Sequence, residues 1–197
     1  MKKIILSLLS FCSIFALSFS PTFALTEENE DYIVIIEHSQ EQIERDREKA
    51  LEELKNSQPT TRMDEIISDW RYVGKQKFIE KPIGYAGNQK SGGTVFRSPG
   101  GFYWQDGGYE ASVDFSLSLG YGPASVSMNI SRGSSQSTGQ WISSPYVNRA
   151  CKLYIHKDVE ITAYAVYTKP KYSGSWTFSR YQYVSVDTRD YLSVRAV

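Results

Sequence analysis

The chain is 197 residues long, with 22 Lys/Arg matched by 22 Asp/Glu and only two cysteines, Cys12 and Cys151. So few cysteines exclude a disulfide framework, leaving a packed core to hold the fold. The zero net charge conceals an asymmetry: residues 25–73 hold fourteen Asp/Glu against six Lys/Arg, and residues 74–197 hold eight against fourteen, a segment near −8 followed by one near +6.

Lys2 and Lys3 precede an apolar run from Ile4 to Phe19, and Pro21-Thr22-Phe23-Ala24 follows with small residues where a signal peptidase reads. This pattern predicts a secretory leader over 1–24, cut after Ala24, and hence an extracellular protein. The run falls short of the ~20 residues that cross a bilayer as a helix, and no later segment is apolar enough to do so. Cys12 would leave with the leader, and Phe11 before it argues against a lipid-attachment signal.

In the acidic segment, Tyr32-Ile33-Val34-Ile35-Ile36 is a β-branched run that periodicity assigns to neither helix nor strand. The spacing of Ile43, Ala50, Leu51 and Leu54 predicts a helix over 40–56, started by a capping box at Ser39 and Gln42 and stopped before Pro59. Met63, Ile66, Ile67 and Trp70 at i, i+3, i+4 and i+7 predict a second short helix over 63–73. Residues 25–73 are therefore expected to form an acidic helical arm that docks weakly, or a pro-segment covering the basic domain until it is removed.

From Gly74 onward, period-two runs take over, punctuated by Gly, Pro, Ser and Asn. Val113, Phe115, Leu117 and Leu119 alternate with serines and Asp114, and after Gly120-Tyr121-Gly122-Pro123 the residues Val126, Met128 and Ile130 alternate with Ser125, Ser127, Asn129 and Ser131. This predicts an antiparallel hairpin. Cys151 to Ile155, then a turn at Lys157-Asp158, then Val159 to Tyr167, and three runs at 176–179, 181–186 and 191–196 continue the series. With weaker strands at 76–80, 94–97, 102–105 and 140–142, the expected fold of 74–197 is all-β. It is an antiparallel β-sandwich, with a partly closed barrel as its variant, preceded by the acidic helical arm and the signal peptide.

Catalytic chemistry finds little support. The two histidines are His38 and His156, no nucleophile turn accompanies either, and an offset of five puts Cys151 and His156 on opposite faces of one strand. One cysteine and one histidine in the β region cannot close a zinc site, and the carboxylates at Asp106 and at Asp187-Thr188-Arg189-Asp190 follow no calcium-loop spacing. No phosphate-binding glycine loop, cofactor motif or metal motif is present, so no cofactor is expected. Asp106, Glu110 and Asp114 leave a carboxylate-based polysaccharide hydrolase as an outside alternative.

Twelve of the fourteen tyrosines follow Gly74, interspersed with cations. Tyr103, Trp104 and Tyr109, flanked by glycine pairs, and Tyr164, Tyr172, Tyr181, Tyr183, Lys169, Lys171 and Arg180 are the candidate binding residues. Such a surface suits an acidic cell-wall polymer, a polysaccharide or an anionic membrane surface, and no nucleic-acid-reading motif is present. The leading expectation is a secreted, non-enzymatic binding module of the cell envelope. The alternative is a membrane-active toxin or bacteriocin-like factor whose hairpin, from Ser112 to Ser131, lines a membrane barrel.

Overall fold

The computed structural model describes residues 33–57, 66–119, 122–172 and 174–197. The expected leader, its cut after Ala24, Met63 and the turn residues Gly120 and Tyr121 lie outside the described residues. In chain order the elements are β1 (Ile33–Glu37), α1 (Gln40–Asn56), β2 (Ile66–Tyr85), β3 (Thr94–Val95), β4 (Gly101–Gln105), β5 (Glu110–Ser118), β6 (Pro123–Ser131), β7 (Ser134–Gln136), β8 (Gln140–Ser143), β9 (Ala150–Pro170) and β10 (Thr177–Ala196).

The frame is one long antiparallel sheet in the order β1-β10-β9-β2, and β3 pairs with β9 through Thr94 and Cys151. Strands β9 and β10 stay paired from Cys151 opposite Ala196 to Thr168 opposite Thr177. Cross-strand partners share a face and neighbours alternate. Cys151, Leu153, Ile155, Lys157, Val159 and Ile161 therefore lie on an inner face, and Tyr154, His156, Glu160 and Thr162 on an outer one.

Two separate pieces cover the inner face. The small sheet β7-β4-β8 packs Phe102, Trp104 and Ile142 onto Cys151, Leu153, Ile155, Leu192 and Val194. The β5–β6 ribbon packs Val113, Phe115, Leu117 and Ile130 onto Ile83, Val159 and Ile161. A hydrophobic sheet face needs such a second layer. The result is all-β, antiparallel and sandwich-like, with its sheets open rather than closed into a barrel.

Helix α1 forms where its spacing predicts. Ser39 Oγ accepts a hydrogen bond from the Gln42 N–H at 3.2 Å, and Ser57 ends the helix through its N–H on the Glu53 carbonyl. Arg47 anchors the helix on the outer face, 2.6 Å from Glu160.

Two expectations are corrected. The second helix is strand wherever it is described, because β2 begins at Ile66 and pairs Ile66 with Pro170 and Tyr72 with Tyr164. A lone helix of this length is marginal, whereas lying beside β9 satisfies the backbone along the whole run. Strand β2 then continues through Gly74 to Tyr85. There is no turn at Lys157-Asp158, since β9 continues through it with Lys157 buried among carboxylates. Asp187–Asp190 lies within β10, where a bulge shifts the register between Asp187 and Arg189.

Candidate functional site: an amphipathic ribbon and the charged knot at its base

Strands β5 and β6 form a two-stranded sheet of their own, paired from Glu110 opposite Ser131 to Ser118 opposite Pro123. Each has nine residues and strict alternation. Ala111, Val113, Phe115 and Leu117, with Ala124, Val126, Met128 and Ile130, turn toward the long sheet. Glu110, Ser112, Asp114, Ser116 and Ser118, with Ser125, Ser127 and Asn129, are exposed. The ribbon is thus held to the sheet by side-chain burial rather than by a shared ladder.

That burial is substantial. Phe115 and Leu117 are each 1% exposed, and Phe78 meets Phe115 edge-on with ring centroids 4.9 Å apart. Each such side chain contributes about 1.5–3 kcal/mol when removed from water. Packing is looser toward the turn, where a cavity of about 190 Å³ opens among Leu117, Ala124, Tyr181 and Tyr183.

The other end of the ribbon is tied electrostatically. Lys157, fully buried on β9, has its Nζ 2.6 Å from Asp187, 3.1 Å from Asp190 and 3.3 Å from Asp106. Burial alone would favour a neutral amine, but the three carboxylates overcome it and hold the lysine firmly charged. Asp106, just ahead of β5, accepts a hydrogen bond at 2.8 Å from Ser131 Oγ, the last residue of β6. Burial pushes the Asp106 carboxyl up, yet Lys157, Ser131 and the Gly107 N–H together hold it below the ordinary range. Asp187 goes the other way, raised chiefly by burial despite Lys157. His38, between β1 and α1, completes the knot at 3.0 Å from Asp190, and that hydrogen bond outweighs burial and raises its pKa.

The expected binding residues fall in two places. In the small sheet, Tyr103 is exposed beside Trp141, with ring centroids 4.8 Å apart, while Trp104 is buried in the core. The exposed Tyr109 lies flat against Gly87, where a Cβ would come within 2.2 Å of its ring. The others lie on the far half of the long strands and beyond. Lys169 sits over Trp176 and Lys171 over Tyr172, whereas Tyr183 lines the core beneath the ribbon. Register sets Tyr164 and Tyr183 on opposite faces, because Tyr183 pairs with Ala163. Arg180 reaches Ser179 Oγ at 3.5 Å.

His156 contacts Arg195 at 3.4 Å, and among the described residues no serine hydroxyl is bonded to either histidine. Cys151 is fully buried. Glu110 and Asp114 stand on the ribbon's exposed side, while Asp106 is engaged with Lys157.

Sequence reasoning missed Lys157, Asp187, Asp190 and His38 as a group. The one local signal was Lys157 itself, at an inward position of an otherwise apolar alternating run, where a charge calls for partners.

What the geometry defines is an open antiparallel β-protein with an amphipathic two-stranded ribbon laid on a long three-strand spine. No family model, curated protein or solved structure matches the chain.

Proposed function

We propose that this is a secreted, non-enzymatic membrane-active protein in which the β5–β6 ribbon leaves the sheet and enters a lipid bilayer. The carrying observation is that the ribbon shares no ladder with the long sheet, so it can depart with its own hydrogen bonds intact. Its nine-residue strands match the ~9–11 residues of a membrane-crossing β-strand, and its apolar row would face lipid while the serine row faces water. A single hairpin has two open edges, which hydrocarbon does not tolerate, so several copies must close a barrel together. Removing residues 25–73 would strip β1, α1 and the start of β2 from the fold, and we therefore read them as remaining in the active form.

Dye release from liposomes tests the activity. Fluorophores at Ser125→Cys and Val126→Cys, each made with Cys151→Ser, test the route. On adding lipid, position 126 should report a hydrocarbon environment and position 125 an aqueous one. Absence of release, or no contrast between the two positions, would refute the reading.

The other reading, a surface binder for acidic cell-wall polymer or polysaccharide, has one supporting observation, the cation-over-ring pairs Lys169–Trp176 and Lys171–Tyr172. Salt-sensitive co-sedimentation with isolated cell walls, without dye release, would favour it.

A further inference from the structure

The outer face of the long sheet carries a second surface that neither the ribbon nor the knot uses. Adjacent lanes of the sheet place Tyr85 opposite Tyr154, Tyr154 opposite Ser193, and Ser193 opposite Ile33. Tyr85 and Tyr154 meet edge-on at 5.0 Å. The Arg195 guanidinium lies 3.8 Å from the centre of the Tyr154 ring, and Lys152 Nζ lies 5.1 Å from that of Tyr85. Two cations are thus held against two aromatic rings on one lattice of strands.

Among the described residues no salt bridge includes Lys152 or Arg195, although Arg47, Arg71, Lys75, Lys77, Lys157 and Arg189 all have carboxylate partners. His156 adds no anion. Burial and the Arg195 charge lower its pKa, with Glu80 pulling weakly the other way, so near neutrality the ring accepts a hydrogen bond from Arg195. Beside this cationic lattice, on edge strand β1, Ile33 and Ile35 are 52% and 54% exposed on the same face.

Exposed isoleucines, ring-backed cations and tyrosine hydroxyls in neighbouring lanes form the combination that settles at a headgroup boundary, where apolar bodies sink and charged tips stay wet. We propose that this face docks the protein on a bilayer surface bearing anionic headgroups before the ribbon leaves the sheet. The docking partner rests on the membrane reading above, but it is measured by a different quantity, binding rather than release. Charge selects the surface, because Lys152 and Arg195, which have no carboxylate partner among the described residues, gain from an anionic leaflet and gain little from a zwitterionic one.

The test is flotation of the full chain with phosphatidylcholine vesicles, with and without phosphatidylserine, at low and high salt. Partitioning should require phosphatidylserine and fall with salt. Lys152→Gln and Arg195→Gln should each lower it about five-fold, as expected for one cation near an anionic surface. The Ile33→Ser, Ile35→Ser double variant should lower it too, and melting curves of all three should match the parent. Since Arg195 is half-buried, the Lys152 variant carries the test if the Arg195 variant folds poorly. Equal partitioning into both vesicle types, unchanged partitioning of the Lys152 variant, or self-association through these residues without lipid would overturn the proposal. Flotation without dye release would uphold docking and sink ribbon insertion, and release indifferent to lipid charge would sink docking alone.

Discussion

Lys157 Nζ lies 3.3 Å from Asp106 Oδ1, and the same oxygen accepts the 2.8 Å hydrogen bond from Ser131, so one buried lysine holds, through Asp106, the chain just ahead of β5 and the last residue of β6. The apolar row holds the ribbon along its length, and this grip closes the end where it joins the small sheet.

Asp106→Asn keeps the side-chain shape and removes the charge from that grip. The Asp106 side chain is 44% exposed, so the loss should be modest, about 1 kcal/mol. Under the proposed function, dye release should quicken several-fold while the melting temperature falls only slightly. Slower release would mean that the grip promotes departure of the ribbon.

Lys157→Met should be far more damaging. It leaves Asp106, Asp187 and Asp190 facing one another without their common counter-ion, and breaking a buried ion network from one side costs about 3–5 kcal/mol. Urea unfolding would report it directly. A loss below about 1 kcal/mol would show that the knot is dispensable.

His38 makes a pH prediction with a definite sign. Its folded pKa is raised above the ordinary 6.5 by the hydrogen bond to Asp190, against the opposing effect of burial. The resulting stabilisation is fully present below the unfolded value and is lost as pH rises through the folded one. Urea midpoints for the parent should therefore decline across that window relative to those of His38→Gln. Parallel curves for the two proteins would contradict it. Asp106 acts oppositely, since its depressed pKa means that its contribution disappears as pH falls through the folded value.

Asp114 stands exposed midway along β5, opposite Ser127 on the polar side of the ribbon. In a barrel of several copies it would form a ring of carboxylates in the lumen, which predicts a preference for cations. Asp114→Lys should leave the soluble fold unchanged and move the reversal potential in a salt gradient toward anions. An unmoved potential would remove Asp114 from the lumen.

Arg47 ties α1 to the sheet. Arg47→Met would leave Glu160, 2% exposed, with the more solvated Lys75 at 3.3 Å and Lys77 at 3.7 Å. The expected cost is about 2 kcal/mol, that of a charge-assisted hydrogen bond at a buried carboxylate. Urea unfolding followed by far-ultraviolet circular dichroism checks it, and no change would mean that the two lysines suffice.

Much of this was legible in the residues alone. The ribbon's two faces follow from the alternation of Val113, Phe115 and Leu117 with Ser112, Asp114 and Ser116, and α1 follows from its apolar spacing and the Ser39 cap, because both patterns are local. The opposite orientations of Cys151 and His156 follow from the period of a strand. Less was legible near residues 66–73, since Ile66 and Trp70 satisfy helical spacing and also share one face of a strand.

An all-β character, a helix at 40–56 and an amphipathic hairpin can be read from the residues alone, because each depends on side chains within a few positions of one another. It takes the folded chain to show that β2, β9 and β10 each run for about twenty residues, that the hairpin lies on their inner face without joining their ladder, and that Lys157 gathers Asp106, Asp187 and Asp190, with His38 bound to the last. Strand length is set by the neighbour a segment lies beside, and a buried charge is permitted only by partners brought from distant positions. Neither condition is written in a local pattern.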